Sequence, residues 1–457
     1  MELGFETIGN ATLICHDKKP ILVTDPWVKG YAYFGSWAPS HQIPEQQMNA
    51  ILASEYVWIS HGHPDHLSMS SLKLLKDKKI LLPDHVGSRI HDYLKETGYN
   101  VFKLKDREWT QLSENVRVLS IADYFQDAVI LIDVGGKLIV NTNDAGETGW
   151  GPFVRKQIKK YDTSFLLQLT GFGDTDLINY FDEGSGERIM PVAAKRVPFG
   201  KNIALVAEGY GVKYLLPFSS MHQYHREDSI WANQCVTKLT DYAVGFESDS
   251  VKILPAYIQW DCIKDTYETT NPPENISPVV APEEFGDSWT EPLEDGDFDR
   301  IKEYFKAIFH LDKVLGFINF KVAGKTHRIE FNSKKFDRGI TFETPRGSLM
   351  KAVKHQIFDD LLVGNFMKCT LHGPWHTNTV YPHFTPYVTK YADNGNARSE
   401  QEIASYFKEY RRRAFFDYIR HKIEEGSTDF LRPIFPRDSG IYHIGRTLYH
   451  KYKRLTR

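Results

Sequence analysis

The stretch Ser60-His61-Gly62-His63-Pro64-Asp65-His66-Leu67 puts three histidines and one aspartate into six consecutive positions, 61 to 66. Neutral imidazole nitrogens bind borderline cations such as zinc or iron, and carboxylates add harder oxygen donors. His61 and His63, two apart at the end of a strand, can point into one cleft. Asp65 and His66 follow where the turn feeds a helix, within reach of a second cation. Paired ions about 3.5–4 Å apart lower the pKa of a shared water and clamp the oxygens of a reacting group. The pattern therefore predicts a two-metal enzyme site, with Asp65 as one of its catalytic carboxylates.

The flanking elements are suited to hold such a cluster. Tyr56 to Ser60 reads as a buried strand running straight into it. Met69, Leu72 and Leu75 then return at helical spacing over Ser68 to Lys76, and Lys79 to Leu82 reads as the next strand. Before the cluster, short apolar runs at Phe5 to Ile8, Thr12 to Cys15 and Ile21 to Thr24 end at Asp25-Pro26. A hairpin is expected at Val129 to Val140 around Gly135-Gly136, because both glycines accept the positive φ of a tight turn. Its second strand ends in Asn141-Thr142-Asn143-Asp144, and further strands are expected at Ser164 to Leu169 and Lys213 to Pro217. The alternation predicts a layered α/β unit.

H-x-H-x-D-H after a strand resembles the signature of the metallo-β-lactamase superfamily, whose opening strands the segment ending Thr24-Asp25-Pro26 also resembles. The resemblance implies an αββα sandwich with metals at one edge between the sheets. It also implies a bridging aspartate, for which Asp144 stands in the right place, and a late histidine, offered by His225 or His222 with His225 preferred. An intermediate histidine is expected just before Val129, yet no histidine lies between His91 and His222. Asp123 is the nearest substitute and Asp127 the fallback. A carboxylate there shifts the preference from zinc toward iron or manganese.

The wider text resembles the non-Rieske part of the CMP-N-acetylneuraminate hydroxylase family. The resembling stretches are Val23 to Pro26, Trp58 to Ser68, Ile139 to Asp144 and Leu216-Pro217-Phe218 leading to His225. This likeness implies a di-iron monooxygenase that hydroxylates a sugar- or nucleotide-linked small molecule. A Rieske centre needs paired Cys-x-His and Cys-x2-His elements. Only Cys369-Thr370-Leu371-His372 has that look, and it has no mate in this sequence, so the electrons are expected from a separate donor protein. The alternative is a zinc- or manganese-dependent hydrolase of an ester, amide or phosphodiester, with Asp65 or Asp144 orienting the attacking water. A third reading is a metal-binding scaffold without turnover.

Composition sets the frame. A length of 457 residues predicts more than one domain, and 41% hydrophobic with 25% charged residues fits a globular protein. A net charge of −3 gives no general pull toward nucleic acid. Cys15, Cys235, Cys262 and Cys369 are scattered, which argues against a disulfide framework and fits a cytoplasmic location. Neither a signal peptide nor a membrane span is expected. The predicted organisation is a metal-binding domain over 1–263, an acidic proline-rich connector over 264–297, a small α+β domain over 298–395 and a basic helical extension over 396–457. The small domain is expected to shape the substrate entrance or mediate a homodimer.

Other motifs weigh less. His372, Trp375 and His376 could line a pocket, but a loop with structural histidines is the simpler reading. The glycines around Gly171-Phe172-Gly173-Asp174 lack a P-loop lysine, and Ser219-Ser220 would be a redundant nucleophile beside metals. From Tyr410 to Arg457 there are 12 Lys/Arg against 5 Asp/Glu, a surplus read as a solvated helix face.

Overall fold

The structure, a computed structural model, describes residues 1–171, 177–196, 198–375 and 379–431. The Gly171 motif beyond its first residue, His376 and the basic tail 451–457 lie outside the described residues.

Two large sheets carry the N-terminal half. In the first, Leu3–Ile8, Thr12–Asp17 and Lys19–Thr24 run antiparallel, and Tyr56–Trp58, Lys79–Pro83 and Asn100–Leu104 continue it in parallel. Ile258–Asp261 and Thr266–Thr269 complete its other edge, so this sheet takes in chain beyond residue 263. The second sheet has Trp109–Gln111, Val116–Ala122, Ala128–Val134 and Lys137–Asn143 antiparallel, then Ser164–Gln168, Tyr214–Pro217 and Lys252–Ile253 parallel.

Side-chain alternation decides how these sheets stack. Along Ala128–Val134, Ile130 and Ile132 join an inter-sheet core with Phe5, Leu13, Leu22, Trp58, Phe165 and Trp260. Val129 and Leu131 point the other way, onto Val154 and Ile158 of helix Gly151–Ile158 and Ala207 of helix Gly200–Tyr210. The outer face of the first sheet offers Val23, Val57, Ile59 and Ile80 to Ile51 of helix Glu45–Ala53 and Leu94 of helix Arg89–Glu96. Period-two alternation with both faces covered gives four layers, αββα. This is the metallo-β-lactamase-like sandwich. The hairpin turn is the two-residue type, Gly135 and Gly136 having φ of 57° and 80° between Val134 and Lys137.

A five-stranded sheet forms the smaller α+β unit, in the order Tyr180–Phe181, Lys368–His372, Gly339–Glu343, Phe317–Val322, Lys325–Glu330. Its first strand comes from the N-terminal half of the chain. Helix Asp297–Lys306 supplies Ile301 and Phe305 to its core. Two short helices follow, Arg346–His355 and Phe358–Val363. Gln356, at φ 56°, turns the chain between them. The connector packs firmly: Asp287 is buried and pairs with Arg226 at 2.7 Å, and Trp289 Nε1 donates to Asp228 at 2.9 Å. Helices Glu400–Arg413 and Phe415–Leu431 follow, the first started by a capping box of Ser399 and Glu402. No helix among the described residues is long and apolar enough to cross a membrane.

Candidate metal centre

The predicted cluster lies where parallel strands of both sheets end, the place where open α/β sheets gather ligands. Tyr56–Trp58 delivers His61 and His63, and Lys19–Thr24 delivers Asp25. From the second sheet, Lys137–Asn143 delivers Asp144 through a register shift between Asn141 and Asn143. Asn143 sits at φ 34°, and its side-chain oxygen accepts from the Asp144 amide at 2.7 Å, which turns the Asp144 carboxylate toward the histidines. His61, His63 and Asp144 each offer a ligand atom, all within 4.8 Å of one another.

The hydrogen bonds around the imidazoles fix which nitrogen faces inward. His66 Nδ1 lies 3.1 Å from Asp25 Oδ2, and Asp25 also accepts from the Ser60 amide at 2.8 Å. A carboxylate only accepts, so Nδ1 donates to Asp25, and Nε2 faces Asp144 at 3.2 Å and Asp65 at 3.5 Å, where a bound cation would take the place of its proton. His61 Nδ1 is 2.8 Å from Ser60 Oγ, and His61 Nε2 meets His63 Nδ1 at 2.9 Å. Two ring nitrogens and two carboxylates converging in a buried space require positive charge among them. That donor set, with imidazole nitrogens and carboxylate oxygens together, fits divalent metals.

Electrostatics agree. Burial, with His66, His63 and Lys390 nearby, holds His61 well below the usual histidine range, in the neutral form that ligates. Burial opposes charge on His66 too, but Asp65, Asp144 and Asp25 outweigh it and raise its pKa well above normal. Burial likewise opposes ionisation of Asp144, and His66 and Ser219 overcome it to hold that carboxyl below its ordinary range.

Asp65 is held by Tyr33 OH at 2.6 Å on Oδ1 and Asn10 Nδ2 at 2.8 Å on Oδ2. Asn10 Oδ1 also accepts from the Met221 amide at 2.6 Å, tying this corner to the loop after Tyr214–Pro217. In that loop Ser219 and Ser220 both have positive φ, 65° and 57°. Ser219 Oγ donates to Asp144 Oδ1 at 2.7 Å, a contact that orients the carboxylate.

The two positions left open in the sequence separate here. Asp123 was the first choice for the intermediate position, but its carboxylate accepts from the Phe125 amide at 2.7 Å, Trp150 Nε1 at 2.9 Å and Thr148 Oγ1. Burial and the nearby Asp127 push it up to about 7. The turn is closed by an Asp123 amide to Asp127 carbonyl bond at 2.9 Å, and it is Asp127 that reaches the cluster, 4.0 Å from His61 Nε2. Asp127 replaces Asp123 as the candidate because the tight turn sends the two carboxylates in different directions.

Of the late histidines, His222 is the one that feels the charge of Asp144. Its ring lies flat on Trp37, centroids 3.3 Å apart, and both its ring nitrogens, like those of His225, are buried without a well-formed hydrogen bond. Burial pulls it down to about 3 against the opposing pull of Asp144. His225, the preferred choice, packs instead against Tyr31 and Phe285, with the Pro278 and Gly35 backbone acting on its ring. The strand His222–Tyr224 alternates, so residues three apart emerge on opposite sides.

Two contributors come from the smaller unit, and sequence reasoning missed both. Asp359 Oδ2 lies 3.3 Å from His63 Nε2, and Lys390 Nζ lies 3.3 Å from Asp127 Oδ1. Neither belongs to a local motif, and only the helix break at Gln356 brings Asp359 round. Cys369 is fully buried in the five-stranded sheet, and His372 bonds Thr341 at 2.6 Å and Glu183 at 2.8 Å, so that pair is structural. All four cysteines are free and buried.

No protein-family model matches the chain. Among curated proteins it is similar to cytidine monophosphate-N-acetylneuraminic acid hydroxylase of Xenopus laevis, 30% identical over 184 residues, which is 38% of this chain and 30% of that protein. The Danio rerio protein of the same name is 28% identical over 156 residues, 32% of this chain and 26% of that one. The chain thus covers less than a third of the length of either relative. Among solved structures it is similar to an isothiocyanate hydrolase from Delia radicum gut bacteria, with TM-score 0.37 and 16% identity over 56% of this chain and 98% of that one. It is also similar to CmlA, a diiron β-hydroxylase from Streptomyces venezuelae, with TM-score 0.28 and 17% identity over 38% of this chain and 36% of that one. The chain has a metallo-β-lactamase-like fold and resembles cytidine monophosphate-N-acetylneuraminic acid hydroxylases over about a third of its length.

Proposed function

We propose that this protein is a binuclear-metal oxygenase that uses two iron ions to hydroxylate a sugar- or nucleotide-linked small molecule, with electrons from a separate donor protein. The observation that carries this reading is Asp127 beside His61, where a third imidazole is expected. An oxygen donor there hardens one site, which favours iron or manganese over zinc. The hydroxylase similarity over part of the chain supports the same reaction class.

His61, His63 and Asp127 would hold one ion, Asp65, His66 and His222 the other, with Asp144 between them. Bound metals would supply Lewis acidity and redox capacity. The chain's own residues do the positioning. Asp25 fixes the protonated nitrogen of His66, and Ser219 steers Asp144. Tyr33 and Asn10 hold Asp65, and His61, His63, Asp65, His66 and His222 are buried while Asp144 stays partly exposed at the edge of the set.

Elemental analysis and optical spectroscopy of protein purified without added metal test this. Two irons per chain with near-ultraviolet oxo-bridge absorption are expected. Stoichiometric zinc, with turnover of ester, amide or phosphodiester probes in the absence of reductant, overturns it in favour of a hydrolase.

A further inference from the structure

The smaller α+β unit packs directly onto the metal-binding loop. A Cβ at Gly62, between the two histidines, would stand 3.0 Å from Asn394 Oδ1, so the second unit presses closely on this glycine. Asn394 Nδ2 also donates to Asp359 Oδ2 at 3.4 Å. Asp359 is buried at the start of helix Phe358–Val363, and its Oδ2 lies 3.3 Å from His63 Nε2.

We infer that Asp359, supplied by the second unit, is the positioning residue that fixes the ring orientation and tautomer of His63, so that docking of this unit is part of the metal centre. The inference rests on the cluster being a metal site. A carboxylate offers no proton here, so His63 Nε2–H donates to Asp359 and the lone pair stays on Nδ1. His63 Nδ1 is the nitrogen facing His61 Nε2 at 2.9 Å, the direction a shared ligand position requires. The other two imidazoles take their partners from within the sandwich, His66 from the Asp25 carboxylate and His61 from the Ser60 hydroxyl. His63 alone of the three takes its partner from 296 residues away. Outer carboxylates of this kind raise ligand basicity, and their loss costs about 10–100-fold in metal affinity.

The test uses the full chain with cobalt(II) as probe, read by its visible absorption and by competition with a chelator. Wild type should take up two ions. Asp359→Ala should weaken one of them by about 10–100-fold, shift its absorption and leave the other unchanged. Asp359→Asn keeps an acceptor oxygen at the same place and should recover most of that affinity, and it serves as the isosteric variant should alanine fail to fold. Wild-type affinity and spectrum in both variants overturn the inference. So does equal weakening of both ions with a lowered melting temperature of the metal-free protein, the mark of a merely structural residue. A wild-type chain that binds no cobalt overturns the metal reading itself, and that result is distinct from the other two.

Discussion

Lys390 of the smaller unit lies 3.3 Å from Oδ1 of Asp127, the carboxylate that stands 4.0 Å from His61 Nε2. The cation neutralises a carboxylate that is buried beside a cluster of acids, and it anchors the loop between Val116–Ala122 and Ala128–Val134 from outside. The same loop is gripped by helix Glu400–Arg413. Tyr406 OH donates to the Tyr124 carbonyl at 2.8 Å, and Tyr410 OH donates to the Asp123 carbonyl at 2.6 Å. One turn of the sandwich is thus held in place by two later segments.

Asp127 and Asp123 should therefore respond differently to substitution. Asp127→Ala is expected to weaken one bound ion on the order of 100-fold, since a direct ligand matters at least as much as its outer partners. Asp123→Ala should leave metal stoichiometry intact. It would strand the Phe125 amide, Trp150 Nε1 and Thr148 Oγ1, at about 1–3 kcal/mol for each buried donor left unpaired. Metal titration alongside denaturant unfolding separates the two, and metal loss in the Asp123 variant would contradict the assignment.

The two candidate late histidines should differ in the same way. His222→Ala should reduce bound metal from two ions per chain to one, because its buried ring lies within the electrostatic reach of Asp144. His225→Ala removes a ring packed on Tyr31 and Phe285, so both ions should remain while the melting temperature falls. Inductively coupled plasma analysis of the two purified variants gives the answer. A reversed pattern would return the assignment to His225.

Removing the front of the cluster should be more severe. His61→Ala and His63→Ala each delete a nitrogen from the group that converges within 4.8 Å. Turnover is expected to fall to background in either variant, with circular dichroism unchanged because the strand Tyr56–Trp58 is held by its own apolar core. Retained partner binding without any turnover in the wild type would instead favour a scaffold.

A pH effect on stability is expected from Asp393. Burial and the neighbouring Asp359 push its carboxyl up from 3.8 to about 7, despite donors from Tyr304 and the Phe358 amide. Between those values the folded chain keeps a proton that the unfolded chain releases, so stability declines as pH rises from about 4 to about 7. Above that window this group adds no further slope. Asp393→Asn cannot ionise, so its unfolding midpoint should fall less than that of wild type between about pH 5 and 7. Identical slopes in the two proteins would show that Asp393 is not the group responsible.

Local chemistry made much of the centre legible in advance. His61, His63, Asp65 and His66 sit on one strand-to-helix turn, so their spacing alone places them together. Gly135-Gly136 specified its hairpin because positive φ at both positions costs glycine no clash with a Cβ. Asp144, at the end of that hairpin, was indicated by the family resemblance and not by spacing.

What sequence could not decide were choices between near neighbours and contacts across long separations. Asp123 against Asp127 depended on the direction of each side chain in a five-residue turn, and His222 against His225 on the packing in and just after a short strand. Asp359 and Lys390 lie 296 and 263 residues from the partners they touch. No local pattern encodes such pairs, because they arise only when separate apolar cores have packed and fixed the units against each other.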